Sequence, residues 1–490
     1  MNASACALSN ADHWNSINWS TVEIAVKRLQ MRIAQAMRDG KRGKAKALQW
    51  MLTHSFYGKL LAVKRVTDNR GKNTPGVDKV TWFSASAKWR ATESLQTRGY
   101  RAKPLRRVFI PKANGKQRHL GIPTMKDRAM QALYRLALEP IAETTADLDS
   151  YGFRPERSTA DAIAACFTLL ATKRASQWIL EADIKGCFDN IHHQWLLEHI
   201  PLNKRVLQQW LKAGYMNNGR LFPTHAGTPQ GGIISPMIAN MTLDGLQREI
   251  ESRFLNQWKE PRYRLIRYAD DFIVTGVSKE GLEQEVLPVV ITFLAERGLE
   301  LSLDKTRITH IQQGFDFLGQ NVRKYHHKLL IKPSKKNIRS FLNNIRQSVS
   351  RLKQAKTENL IRTLNPKILG WAHYHRHIVA KKTFKYIDGQ IFRSLWRWAV
   401  RRHPRKGKQW VRRKYFNSVN LRNWVFSAKV LDSPKNQRLL MLRYASDVRI
   451  QRHVKIRKKA HPFDPAYQQY LKQRKKPHTA SLPVLLTEDL

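Results

Sequence analysis

Arg264-Leu-Ile-Arg-Tyr268-Ala269-Asp270-Asp271-Phe272-Ile-Val274 places two carboxylates between two short apolar runs. Runs of this length on either side of so short a link predict a β-hairpin whose turn carries both acids. An Asp-Asp pair alone is weak evidence, because Asp is a favoured turn residue and most such pairs are solvated. A third carboxylate changes its meaning. Upstream, Trp178-Ile-Leu-Glu-Ala-Asp183-Ile184 reads as a buried strand ending in an aspartate, followed by Lys185-Gly186-Cys187-Phe188-Asp189. Three acids suffice for two Mg²⁺ ions, the requirement of phosphoryl transfer from a nucleoside triphosphate to a sugar hydroxyl. One ion, shared by Asp183 and Asp270, would lower the pKa of the attacking 3′-hydroxyl. The second, on the same two residues and the triphosphate, would neutralise the leaving pyrophosphate. Mg²⁺ takes few protein carboxylates and keeps positions for substrate oxygens about 2 Å away. Asp271 is expected as a weaker or indirect ligand.

The charge balance points to a polyanionic partner. Lys and Arg number 88 against 37 Asp and Glu, a formal net charge of +51, and the sequence pI is about 10.6. Self-repulsion of this size opposes compaction unless RNA or DNA receives it. A membrane surface competes as an explanation, but no apolar stretch approaches the roughly 20 residues of a spanning helix. Residues 1–15 lack a basic start followed by an apolar run, so no secretory signal is expected. A cytoplasmic protein is therefore expected. Cys6, Cys166 and Cys187 are scattered, without disulfide density or zinc-ligand spacing.

Two further segments invite a chemical reading. Val108-Phe-Ile110 and His119-Leu-Gly-Ile122 flank Asn114-Gly115, a two-residue turn signal, so a β-ribbon is expected to carry Lys112 and Arg118. Such a ribbon is either a solvated basic surface or a grip on a triphosphate, with Arg the better fork for phosphate oxygens. Gly227-Thr-Pro-Gln230-Gly231-Gly232-Ile-Ile-Ser-Pro236 supplies glycines that let backbone approach a ligand, and an amide in Gln230. Alone, this segment reads as a loop.

In order and spacing, Asp183-Ile-Lys-Gly-Cys-Phe-Asp189, the Gly227–Pro236 segment and Tyr268-Ala-Asp-Asp271 resemble reverse transcriptases encoded by bacterial group II introns. Thr74-Pro-Gly-Val-Asp78, Ile110-Pro-Lys112 and Arg118-His-Leu-Gly-Ile-Pro123 look like that family's amino-terminal and fingers motifs. Ser302-Leu-Asp-Lys305-Thr306 and Phe315-Asp-Phe-Leu-Gly319 look like its last two palm motifs. The likeness covers roughly residues 15 to 475. It implies an α+β, right-hand polymerase fold with Asp183, Asp270, Asp271 and Lys305 catalytic, and Asp183, Ile184, Asp270 and Asp271 around the metals. Lys305 would donate a proton to pyrophosphate. Lys112, Arg118, Phe188, Gln230 and Gly231 would surround the deoxynucleotide, with Phe188 under the sugar where a 2′-hydroxyl clashes.

Four segments are expected: a helical amino-terminal extension over 1–85, fingers and palm over 86–325, an α-helical thumb and maturase X domain over 326–430, and a basic DNA-binding-like segment over 431–490. Val22, Ile24, Val26, Leu29, Ile33, Leu48 and Leu52 show the helical spacing of the first. Lys335–Lys356 and Thr383–Trp398 read as helices with one apolar and one basic face. No Asp or Glu occurs from Gly389 to Leu431. That stretch interleaves Arg397, Arg401, Arg402, Arg405, Lys406, Arg412, Arg413 and Lys414 with Trp396, Trp398, Trp410 and Tyr415. Cations hold phosphates and aromatics can stack on bases, although at least one of Trp396 and Trp398 is expected in the core. By resemblance this surface binds intron RNA. Arg452-His453-Val-Lys455-Ile456 and His461-Pro-Phe-Asp-Pro465 resemble the DNA-binding segment that often precedes an HNH endonuclease; the nuclease itself is expected to be missing.

The expected function is therefore an RNA-directed DNA polymerase that also serves as an intron maturase. Its partners would be intron RNA, an RNA template with DNA primer, a DNA target and dNTPs, with the protein a monomer or homodimer. A domesticated relative in DNA repair or phage defence, and a non-enzymatic RNA-binding maturase, are the alternatives. The three aspartates argue against the second.

Overall fold

The computed structural model describes residues 9–111, 115, 117–419, 422–433 and 436–475. Lys112, one of the two expected triphosphate grips, lies outside them, as does Asn114. The chain forms two compact units, one of residues 1–158, 180–308 and 456–490, the other of 159–179 and 309–455. These do not follow the four sequence segments, because the end of the chain folds with the first unit.

In the first unit, helices Trp19–Arg38, Arg42–His54 and Phe56–Thr67 pack beside the long helix Met125–Thr145. Their apolar spacing is the reason: Val26, Ile33, Leu48 and Leu52 meet Ala137 and Ile141 in one buried cluster. Asn18, Ser55 and Thr124 cap three of these helices with side-chain oxygens on free amides. Ile24, counted with the apolar face in the sequence, is exposed instead, since two residues from Val22 or Val26 is the far side of a helix.

The fingers strands β1 (Leu105–Pro111) and β2 (Gln117–Ile122) pair antiparallel. Among the described residues their pairing runs out to Pro111 with Gln117; the expected two-residue turn at Asn114-Gly115 includes Asn114, which lies outside them. Strand β3 (Trp178–Asp183) follows, then β4 (Tyr215–Asn217) and β5 (Arg220–Phe222), which extend the fingers sheet in the order β2-β1-β4-β5. Strands β6 (Arg264–Tyr268), β7 (Asp271–Gly276) and β8 (Arg307–His310) join β3 in the palm sheet, ordered β6-β7-β3-β8. Helices and sheets of this kind make the α+β class expected from the sequence.

The second unit holds β9 (Phe315–Phe317), β10 (Gln320–Tyr325) and β11 (Lys328–Pro333), then helices Lys335–Arg351, Thr357–His375, Lys381–Arg402 and Lys408–Tyr415. The helical expectation fails past this point. Residues from Phe416 form an antiparallel sheet of β12 (Phe416–Val419), β13 (Arg422–Ser433) and β14 (Asn436–Met441). Phe416, Val425 and Phe426 are buried, as aromatic and β-branched residues on a packed sheet face should be. Among the described residues no helix is long and apolar enough to cross a membrane.

Candidate active site

The β6–β7 hairpin closes on the pair Tyr268 and Asp271. Its two-residue turn is therefore Ala269 and Asp270, with Ala269 at φ +58°, the left-handed backbone that short hairpin turns require. Asp270 sits in the turn, whereas Asp271, expected there too, opens β7. Asp183 ends the neighbouring strand β3, and its main-chain carbonyl accepts from Ser302 N at 2.8 Å.

The three carboxylates act on one another. Partial burial, then Asp270 and Asp183, push Asp271 up to about 6, and Asp183 and Asp271 are hydrogen-bonded. Asp270 is raised first by burial and then by Asp183. Lys305 sets its ammonium 2.5 Å from the Asp183 carboxylate, and that bond holds its proton more tightly. Among the described residues no three His, Cys, Asp or Glu side chains form a ready-made metal cage. The donor set nevertheless suits a hard divalent cation: carboxylate oxygens, crowded together, whose mutual repulsion a positive charge would relieve. The Ile184 side chain is buried, so this residue has only main-chain oxygen to offer.

A buried arginine that sequence reasoning missed holds the turn. Arg267, fully buried, donates to Ala269 O at 3.4 Å and Asn240 Oδ1 at 3.2 Å, and pairs with Asp244. Asn240 in turn donates to Gly152 O at 2.6 Å. A Cβ on Gly152 would lie 2.4 Å from Ala269 N, so only glycine permits this approach. Arg154, anchored on Glu143 and on the carbonyls of Asp147 and Ser150, fixes the loop that carries Gly152. Tyr151-Gly-Phe-Arg-Pro155, a glycine and a proline around a lone cation, was the available signal.

The glycine-rich segment is clamped from both sides. Thr228 N donates to Phe188 O at 2.6 Å, and Gly121 N on β2 donates to Gln230 O at 2.7 Å. Gly231, at φ +120°, has room for no side chain, since a Cβ would meet Gly121 O at 2.7 Å. Gln230 accepts from Arg118 Nε and donates to Asp189 Oδ2, each at 3.0 Å. Phe188 is half-buried and meets Phe153 edge-on, ring centres 6.4 Å apart. Arg107, His119, Phe188, Asp189, Tyr215 and Gln230 contribute to the wall of a cavity of about 440 Å³. Arg118, Phe188, Gln230 and Gly231 are thus brought together.

In the second unit, Arg397, Arg401 and Arg402 join Arg346 and Lys353 around a cavity of about 570 Å³ over Trp398. Arg402 is partly committed: it donates to Ala355 O at 2.5 Å and lies 4.7 Å over the Trp398 ring. Arg405, Lys406, Arg412, Arg413 and Lys414 are exposed. Of the interleaved aromatics, Trp398 and Tyr415 are buried and Trp396 packs against Phe416 and Trp424, which leaves Trp410 the more open ring. Arg452 is exposed and Lys455 half-buried. His453, also expected at the DNA, sets its Nε2 2.8 Å from buried Asp161.

Three family descriptions match the chain: reverse transcriptase (RNA-dependent DNA polymerase) over residues 110–322, the N-terminal domain of reverse transcriptase over 14–95, and the group II intron maturase-specific domain over 338–416. Protein YkfC of Escherichia coli (strain K12) is 33% identical over 307 residues, which are 54% of this chain and 80% of YkfC. Group II intron-encoded protein LtrA of Lactococcus lactis subsp. cremoris is 32% identical over 332 residues, 54% of each chain, so the match spans about half of LtrA. Telomerase of Candida albicans, solved with a fragment of telomeric RNA, aligns over 66% of this chain and 65% of its own at 13% identity and a TM-score of 0.36.

Proposed function

The chain belongs to the family of group II intron reverse transcriptases, and we propose that it extends a DNA primer on an RNA template and binds intron RNA as a maturase. The observation that carries the reading is the meeting of Asp183, Asp270 and Asp271 with Lys305 at the end of the palm strands. Asp183, Ile184 (through its carbonyl), Asp270 and Asp271 would hold two Mg²⁺ ions. When bound, such ions acidify the primer 3′-hydroxyl and offset charge on the pyrophosphate.

The protein's own groups do the rest. Arg118 and Lys112 grip the triphosphate, Arg by its fork and Lys as a point charge. Phe188 lies under the sugar and excludes a 2′-hydroxyl, which selects dNTPs. Gln230 and Gly231 line the nucleotide site, and Lys305 gives a proton to the departing pyrophosphate. Arg397, Arg401, Arg402, Arg405, Lys406, Arg412, Arg413 and Lys414 hold RNA phosphates, while Arg452 and Lys455 meet the DNA target. The segments bounded at 85, 325 and 430 divide this work among extension, polymerase, thumb with maturase domain, and basic tail. A protein of this kind acts in the bacterial cytoplasm, as a monomer or homodimer.

The test is primer extension on an RNA template. Asp270→Asn keeps side-chain volume and removes a carboxylate charge, so DNA synthesis should vanish while RNA binding survives. Extension at near the parental rate would place the metal site elsewhere.

A further inference from the structure

Asp189 has no part in the function described so far, yet its carboxylate ends a chain of three polar side chains. Its Oδ2 accepts from Gln230 Nε2 at 3.0 Å, and Gln230 Oε1 accepts from Arg118 Nε at 3.0 Å. The three come from different places: the short helix Cys187–Asn190, the glycine-rich segment and fingers strand β2. Two of the backbones are pinned by main-chain bonds. Asp189 N donates to Gly186 O at 2.8 Å, and Gln230 O accepts from Gly121 N at 2.7 Å.

A glutamine amide is nearly symmetric in shape and has two orientations, chosen by its neighbours. Here the choice is forced. An ionised carboxylate only accepts and a guanidinium only donates, so the amide nitrogen must face Asp189 and the oxygen must face Arg118. The reverse orientation would set oxygen against oxygen and N–H against N–H. One amide N–H remains beyond those two bonds, and its direction depends on Asp189.

We infer that Asp189 is a positioning residue for DNA synthesis: it locks the Gln230 amide so that one N–H is presented to the incoming nucleotide while the oxygen steadies Arg118. The inference rests on the reading that Gln230 and Arg118 contact that nucleotide. Asparagine at 189 can either donate or accept, so it would release the amide without changing volume.

The experiment is single-nucleotide incorporation by the full chain on an RNA template with DNA primer, comparing Asp189→Asn, Gln230→Ala and the double variant. Asp189→Asn should raise KM for dNTP about tenfold with kcat within about twofold of the parent. Gln230→Ala should do at least as much, and the double variant should match Gln230→Ala alone, because a residue that acts only through Gln230 has nothing left to act on. Asp189→Glu, which keeps an acceptor-only group, should recover most of the loss. An unchanged KM in Asp189→Asn, or a double variant that loses the product of both single effects, overturns the inference. An unchanged KM in Gln230→Ala overturns the nucleotide-site reading first and the inference with it. If Asp189→Asn melts early, Asp189→Ala replaces it and must meet the same two criteria.

Discussion

At the level of single residues the site depends on contacts that leave no slack. Gly152→Ala places a methyl group 2.4 Å from Ala269 N, and neither backbone can retreat while Asn240 and Arg267 hold them. Overpacking of this kind costs about 1–3 kcal/mol. Because the strain falls on the turn that carries Asp270, kcat for primer extension should drop more than tenfold, while primer-template affinity stays near the parental value in a binding assay. Phe188→Ala tests the sugar reading: it should admit ribonucleotides, seen as a smaller ratio of kcat/KM for dNTP over rNTP. A ratio equal to the parent's would leave Phe188 as a packing residue. Arg267 shows what a residue-level reading of the sequence misses. Between Ile266 and Tyr268 it looks like a polar break in an apolar strand, and only its partners Asp244 and Asn240, more than twenty positions away, explain its burial.

Among the elements, the helix Lys381–Arg402 combines two kinds of arginine. Arg402 bonds Ala355 O and covers Trp398, whereas Arg401 is exposed, as is Arg405 in the turn that follows the helix. Replacing Arg401, Arg405 and Arg413 by Glu should therefore weaken RNA binding without loss of folding. The slope of log affinity against log salt should become shallower by about 0.7–0.9 per lost phosphate contact; equal slopes would remove these residues from the interface. Arg402→Glu should lower the melting temperature as well. The helix Thr357–His375 adds a pH-sensitive element. Burial, then His377, pushes His375 down to about 3; burial, then His453, pushes His377 down to about 4, with Asp161 opposing and Arg376 adding to that shift. Histidine in an unfolded chain titrates near about 6.5, so below that pH the unfolded state takes up protons that the folded state refuses. The stability these groups contribute is complete above about pH 6.5 and is lost as pH falls toward 4. Melting followed from pH 7.5 to 4.5 should show this decline, and His375→Gln should flatten it. The helices Lys335–Arg351 and Lys381–Arg402 were legible from apolar spacing, but β12 and β13 were not, because charge dominates residues 389–431 and hides the short apolar alternation.

For the whole molecule, the end of the chain is the instructive part. Residues 456–475 return to the first unit, where Asp464 meets Arg38 at 2.9 Å, Lys458 meets Asp149 at 2.8 Å and Lys475 meets Glu156 at 2.6 Å. Arg157 pairs with buried Glu143 and donates to Lys458 O, so this basic segment braces the loop that carries Gly152. Truncation after Lys455 should lower both the melting temperature and the primer-extension rate, even on a template that needs no DNA target; normal activity of the truncated chain would reduce the segment to an accessory. From the sequence alone came the α+β class, the hairpin at Tyr268–Asp271, the three aspartates as candidates and the polyanionic partner class, because backbone periodicity and net charge are local or additive properties. Tertiary structure alone decided which polar groups are free to act and which are held. It turned His453 onto Asp161, gave Gln230 its partners Asp189 and Arg118, and buried Arg267 behind the turn that carries Asp270. A charge is available or committed according to a neighbour that spacing along the chain does not reveal, since such neighbours meet only when distant segments fold together.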